Sequence, residues 1–239
     1  LNDLALTNVA NTTLIRNENN AEITAELASA LQKMYKQLPI SPFIGSNSWV
    51  LGPEKTKNGK VIFANDPHIG FAQPAVWYES HIKTPDYEMY GFNLALTPFP
   101  LLGHNRNYAY GLTMFENDDI DFYFEQNNPK NAMEYKTADG YKKYAVIEKR
   151  IKIKDAKDTV YQIKVSQHGP IMNDLIAFIN EERPMAMQWI YTKLNNQLLE
   201  VAHEMSHAKS LSEFKIGASK LHAPGLNIMY GDANDNIAW

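Results

Sequence analysis

The sequence has no cysteine. That absence excludes a disulfide framework, a thiol nucleophile and a thiolate zinc site together. No apolar run approaches the roughly 18 residues of a membrane-spanning helix, so no membrane span is expected. Residues 1–16 lack the basic start and apolar centre of a secretory leader. Lys and Arg number 23 against 27 Asp and Glu, and the net charge of -4 is spread without a basic stripe. Nucleic acid is therefore not an expected partner.

What is there is the composition of an ordinary globular protein. With 239 residues, 44% hydrophobic and 21% charged, the chain is long enough to bury a sizeable core. It starts at Leu1 and stops at Trp239 inside an apolar segment, which suggests a piece of something longer. Ile23, Leu27, Leu31, Met34 and Leu38 recur at spacings of three and four, with Asn19 and Glu22 placed as a capping box and Pro39 as a stop. This pattern predicts one amphipathic helix over Glu22–Leu38.

From Ser46 onward the texture changes to short β-rich runs bounded by Gly, Pro, Asn or Asp. They begin at Ser46, Lys60, Ala75, Tyr87, Tyr108 and Asp121. Tyr144–Lys154 and Thr159–Gln167 alternate around a polar stretch and predict a long hairpin with one wet face. A strand near Met185–Tyr191, helices over Asn195–Ala208 and Leu211–Leu221, and a last hairpin from Asn227 to Trp239 complete the order. Many strands followed by paired helices argue for α+β, a largely antiparallel sheet covered by helices, in one compact domain.

Gly45-Ser46-Asn47-Ser48-Trp49-Val50 puts a hydroxyl directly after a glycine at a strand start, which taken alone is a turn entering a strand. An ordered series follows it: Asn65-Asp66-Pro67-His68-Ile69-Gly70-Phe71, Pro74 with Trp77-Tyr78-Glu79, Gly103-His104-Asn105, and Tyr110-Gly111-Leu112-Thr113. Then come Asp118-Asp119-Ile120-Asp121-Phe122, His168-Gly169-Pro170-Ile171, and Asn227-Ile228-Met229-Tyr230-Gly231-Asp232 with Asn236-Ile237. In order and spacing the series resembles the penicillin acylase family of N-terminal-nucleophile hydrolases, over about four fifths of the chain.

The resemblance implies a four-layer αββα sandwich and cleavage between Gly45 and Ser46. Residues 1–45 would then be the end of an α chain or a spacer, and 46–239 the first part of a β chain. A serine hydroxyl is a weak nucleophile near neutral pH and needs a base. A free α-amino group, with a pKa of about 8, is such a base once burial lowers it modestly. Ser46 at a new N-terminus would supply both. Ser48 is a rival hydroxyl; the family's Ser-Asn-x-Trp pattern puts the cut at Ser46.

The resemblance assigns further roles. His68 falls where the cephalosporin and acyl-homoserine-lactone acylase branches carry histidine beside the nucleophile and penicillin G acylase carries glutamine; taken alone it is a loop histidine. The backbone N–H of Met114 and the side-chain amide of Asn227 would form the oxyanion hole. Asp118 and Asp121, with the Ile120 carbonyl, match positions that hold a structural calcium, although the run also reads as a solvated acidic turn. Ile69, Leu101, Leu102 and Leu112, with Trp189, would line an apolar acyl pocket, or be ordinary core.

The chemistry would need no cofactor. Its substrate would be a small N-acyl amide, its partners the remaining α and β segments of the same precursor, and its compartment the bacterial periplasm or exterior.

Two other readings stand beside this one. His203-Glu204-Met205-Ser206-His207 is a literal H-E-x-x-H on a predicted helix, the spacing of a zinc metallopeptidase with Glu204 as general base. Residues 208–220 supply neither the downstream glycine and histidine of metzincins nor a glutamate beyond Glu213. The apolar stripe Leu198, Val201, Ala202 and Met205 is that of a surface helix. The other reading, of a different class, is a catalytically silent fragment or unprocessed precursor, since family enzymes carry long segments before and after this stretch.

Overall fold

The computed structural model describes residues 25, 29, 33, 43–115, 117–174, 181–195 and 197–239. The helix expected over Glu22–Leu38 lies outside them, apart from Ala25, Ser29 and Lys33, which are helical and exposed.

In chain order the first strands are β1 (Phe43–Leu51), β2 (Ile62–Ile69), β3 (Trp77–Lys83), β4 (Glu88–Leu94), β5 (Leu102–His104) and β6 (Tyr108–Met114). There follow β7 (Ile120–Phe124), β8 (Asn127–Asn128), β9 (Asn131–Thr137), β10 (Gly140–Lys143), β11 (Ala145–Ile151), β12 (Thr159–Val165) and β13 (Met185–Trp189). Helices α1 (Ile190–Lys193), α2 (Leu198–His207) and α3 (Leu211–Ala218) precede β14 (Leu226–Asp232) and β15 (Ile237–Ala238). The fold is α+β. The chain divides into two compact units, Leu1–Leu38 with Phe122–Gln188 and Pro39–Asp121 with Trp189–Trp239, where the sequence pattern predicts one domain.

The unit that holds Ser46 is layered. Its six-stranded sheet runs β15-β14-β6-β5-β4-β3, antiparallel throughout. Because side chains alternate across a strand, Tyr108, Tyr110 and Leu112 of β6 share one face with their partners Asp232, Tyr230 and Ile228 of β14. That face buries against α2 and α3. The Tyr108 hydroxyl donates to the Met205 carbonyl at 2.8 Å, and the Phe214 ring lies 4.8 Å from Tyr230 and 5.4 Å from Tyr110. Val201 and Met205 of α2 complete this core. Ser210 caps α3 by accepting from the Glu213 N–H.

The opposite face carries Ala109, Gly111 and Thr113 beside Gly231, Met229 and Asn227. Here the β1–β2 hairpin lies on the sheet. A Cβ on Gly231 would come within 2.7 Å of Val61, and one on Gly111 within 2.1 Å of Asn65. Glycine at these two positions is what lets the layers approach so closely. A 3-10 turn at Pro53–Lys55 closes the hairpin, with the Thr56 hydroxyl donating to the Lys60 carbonyl and accepting from its N–H.

In the other unit β7 pairs with β13, β8, β9 and β10 form a small meander, and β11 pairs with β12. Tyr135, Tyr144, Met185 and Ala186 are buried. The buried carboxylate of Glu125 meets His168 Nδ1 at 2.8 Å, and Tyr123 stacks parallel on that imidazole at 4.2 Å. The long hairpin is predicted to have one wet face. Among the described residues every β11 side chain is exposed, Val146 and the adjacent Ile147 included, because β11 and β12 pair only with each other.

Asp232 holds the turn that returns β15. Its carboxylate accepts from the Asn234 and Asn236 N–H groups, the Asn236 side chain and the Tyr230 hydroxyl. Burial alone would raise its pKa, but these donors, Asn236 foremost, hold it below the usual 3.8. A lowered carboxylate contributes stability above its unfolded value and loses it as pH falls through the folded value. We expect Asp232→Ala to cost about 1–3 kcal/mol at neutral pH. In thermal unfolding the gap from wild type should narrow below about pH 4; a gap independent of pH would show that the charge is not what holds the turn.

Candidate active site around Ser46

Ser46 sits inside β1, opposite Pro67 of β2, and Gly45 sits opposite His68. The pairs Ser46–Pro67, Ser48–Asn65 and Val50–Phe63 share the face of the hairpin that meets the six-stranded sheet. A one-residue slip would turn Ser46 outward. Its hydroxyl donates to the Gly45 carbonyl oxygen at 2.7 Å, so the oxygen rests beside the Gly45–Ser46 bond. Gly45 has φ +152°, a conformation that L side chains rarely adopt, which explains glycine before the serine. Ser48 directs its hydroxyl to the Ala64 carbonyl at 3.1 Å instead.

His68 lies beside Gly45, and its Nε2 meets Asp66 Oδ2 at 2.8 Å. A Cβ on Gly45 would sit 3.9 Å from its Nδ1. The imidazole thus flanks Gly45, on the side of the hairpin away from the Ser46 side chain. Asn227 lies on the sheet face that the hairpin covers. Its Nδ2 donates to Thr113 Oγ1 at 3.1 Å and to the Met114 carbonyl at 3.2 Å, while Trp239 Nε1 donates to its Oδ1 at 3.3 Å. Because the Phe115 N–H bonds to the Gly225 carbonyl, ladder alternation turns the Met114 N–H away from β14 to the other edge of β6.

The expected pocket residues are not brought together. Leu102 and Leu112 belong to the core on the helix side of the sheet, with Leu101 packed against it; alternation points Leu112 away from the hairpin that carries Ser46. Ile69 ends β2, and Trp189, partly exposed, packs on Tyr191 at 5.0 Å. Asp118, Ile120 and Asp121 are exposed, while Asp119 accepts from the Asn117 side chain. No group of three or more His, Cys, Asp or Glu that could hold a metal occurs among the described residues. Two carboxylates and one carbonyl fall short of the six to eight oxygens of a calcium site.

The H-E-x-x-H side chains serve packing. His203 and His207 stack on one another at 4.1 Å, Tyr87 stacks on His207 at 4.3 Å, and Phe99 meets both imidazoles edge-on. His207 Nδ1 bonds to the His203 carbonyl at 2.8 Å. Glu204 pairs with Lys220, which Glu200 shares, so the carboxylate of the supposed general base is taken up in a salt bridge.

The sequence pattern does not single out Asn65, Thr113 or Trp239. Asn65 touches both β1 and β6, and Thr113 and Trp239 hold the Asn227 amide. Its place in the Asn65-Asp66-Pro67-His68 run is the one signal that could have drawn notice to Asn65.

The penicillin amidase family model matches residues 2–239, and the chain belongs to that family. It is 28% identical over 209 residues to the acyl-homoserine lactone acylase QuiP of Pseudomonas aeruginosa, covering 81% of this chain and 24% of that protein. Penicillin G acylase of Escherichia coli is 26% identical over 201 residues, covering 81% and 22%. A thermostable penicillin G acylase from Alcaligenes faecalis has a similar structure, with TM-score 0.67 and 26% identity over 80% of this chain and 34% of that one. The chain thus spans about a quarter of the length of the curated relatives it matches. These relatives are named as acylases.

If His203 and His207 serve packing, His207→Ala should cost about 1 kcal/mol or somewhat more through its lost aromatic contacts. A strong zinc chelator should leave the melting temperature unchanged. A drop on chelation that zinc alone restores would return this pair to metal binding.

Proposed function

We propose that the full-length protein hydrolyses an N-acyl amide through an acyl-enzyme on Ser46, after Ser46 has cut its own chain from Gly45. One observation carries this reading: the Ser46 hydroxyl is already on the Gly45 carbonyl oxygen, at a glycine whose backbone conformation strongly favours that residue. Rotation about one side-chain bond would carry the oxygen from hydrogen-bonding that carbonyl to attacking its carbon. The resulting ester is hydrolysed by water, and the α-amino group of Ser46 is left free.

In the cut enzyme that amine is the base. With a pKa of about 8, lowered by the partly buried site, it takes the hydroxyl proton as Ser46 attacks the substrate carbonyl and returns it to the leaving amine. The developing oxyanion is met by the Met114 N–H, which the ladder leaves pointing away from β14, and by the Asn227 amide. In the uncut chain Asn227 spends its donors on Thr113 and on the Met114 carbonyl. Releasing one of them to the oxyanion is a small side-chain motion, and the Trp239 indole keeps the amide's oxygen oriented.

An acyl-homoserine lactone or the side-chain amide of a β-lactam is the substrate class that the relatives' names suggest. Because Leu102 and Leu112 serve the core, the pocket is built from Ile69 at the hairpin end and from segments of the whole protein. His68, paired with Asp66, flanks Gly45.

Two substitutions test this in the full-length protein. Ser46→Ala should leave a single uncut chain; cleavage after Gly45 in both, giving Ser-Asn-Ser-Trp from wild type and Ala-Asn-Ser-Trp from the variant, would rule out self-cleavage. Asn227→Ala in the processed enzyme should lower kcat by about a hundredfold to a thousandfold, the loss typical of one oxyanion donor, with KM nearly kept. A rise in KM at unchanged kcat would instead make Asn227 a structural residue.

A further inference from the structure

One carboxamide makes three bonds at the site, two crossing to the six-stranded sheet and one tying it to β1. Asn65 Nδ2 donates to the Asn47 carbonyl and to the Leu112 carbonyl, each at 3.1 Å, and its Oδ1 accepts from the Leu112 N–H at 3.1 Å. Asn47 directly follows Ser46, and Leu112 stands two residues before Met114. The pairing of β5 with β6 reaches only Tyr110. Beyond that rung the Asn65 carboxamide supplies the donor and acceptor that a strand neighbour would offer to Leu112.

The fit is also steric. Asn65 reaches across Gly111, where a Cβ would meet its Oδ1 at 2.1 Å, its Cγ at 2.6 Å and its Cβ at 2.8 Å. Aspartate has the same shape but no amide hydrogens, and it would set a carboxylate against two carbonyl oxygens. Glutamine would add a methylene where Gly111 has already given up all the room there is.

We propose that Asn65 is a positioning residue for acyl transfer: its carboxamide holds the strand that carries Ser46 in fixed register against the strand that carries Met114. This rests on the Ser46 reading above. The nucleophile belongs to one sheet and its oxyanion donors to the other. The distance between them is therefore set by whatever fixes sheet against sheet, and a displacement of about 1 Å in such an arrangement costs on the order of a hundredfold in rate.

The test compares full-length, processed wild type with Asn65→Asp and Gly111→Ala, the second of which displaces the asparagine without removing it. A serine-directed sulfonyl fluoride is the probe. The rate of Ser46 labelling is followed by mass spectrometry, beside kcat and KM on a chromogenic N-acyl amide and the melting temperature.

We expect both variants to label Ser46 completely but about a hundredfold more slowly, with kcat lowered to match and KM nearly kept. The double variant Asn65→Asp with Gly111→Ala should lose much less than the product of the single losses, because both act on one interaction. An unchanged labelling rate in Asn65→Asp overturns the proposal, as does a loss of stability with kcat per labelled site intact. Should Asn65→Asp fail to accumulate, Gly111→Ala decides by the same criteria. If the reagent does not label Ser46 even in wild type, the Ser46 reading falls and the proposal with it.

Discussion

The arrangement around Ser46 depends on the close approach of the β1–β2 hairpin to the six-stranded sheet. Stacked sheets ordinarily lie about 10 Å apart, with side chains from both filling the gap. Here the sheet gives up its side chains at Gly111 and Gly231, and the hairpin fills the space from its own side with Asn65, Val50 and Val61. One polar contact and two apolar ones set the spacing. The polar contact is directional and lies nearer the serine, because Asn65 reaches back to the residue that follows it.

This approach explains how the site divides between layers. The hairpin contributes the hydroxyl, the bond before it and the His68–Asp66 pair. The sheet contributes Thr113, Met114 and Asn227, with Trp239 reaching back from just beyond β15. On the far side of the sheet, Tyr108, Tyr110 and Tyr230 pack against α2 and α3 around Phe214. That core holds β6 and β14 side by side, and alternate residues of both strands arrive on the face that meets the hairpin.

The helix α2 shows why a motif needs its surroundings. His203 and His207 have the spacing of a zinc pair, yet their rings stack face to face between Tyr87 and Phe99. Glu204 is drawn to Lys220 by charge. Helical spacing put the three residues on one side of the helix, and aromatic neighbours distant in sequence decided what they do there.

The sequence by itself determined most of the elements, because period and turn chemistry are local: β1 to β4, β6, β7, the β11–β12 hairpin and the two longer helices all lie where alternation or helical spacing put them. The ordered motifs likewise fixed the family and drew attention to Gly45 and Ser46. Other features were not legible. β5 and β10 are only three and four residues long, and their pairing comes from neighbours and not from pattern. Leu112 reads equally as pocket or core, since both require burial; only strand parity against the helices made it core. Asn65 is one member of the Asn65-Asp66-Pro67-His68 run until β6 is brought beneath it. Side-chain type and spacing are written along the chain, whereas the face a residue presents and the partner it meets depend on which strands stack, and that was decided by the tertiary structure.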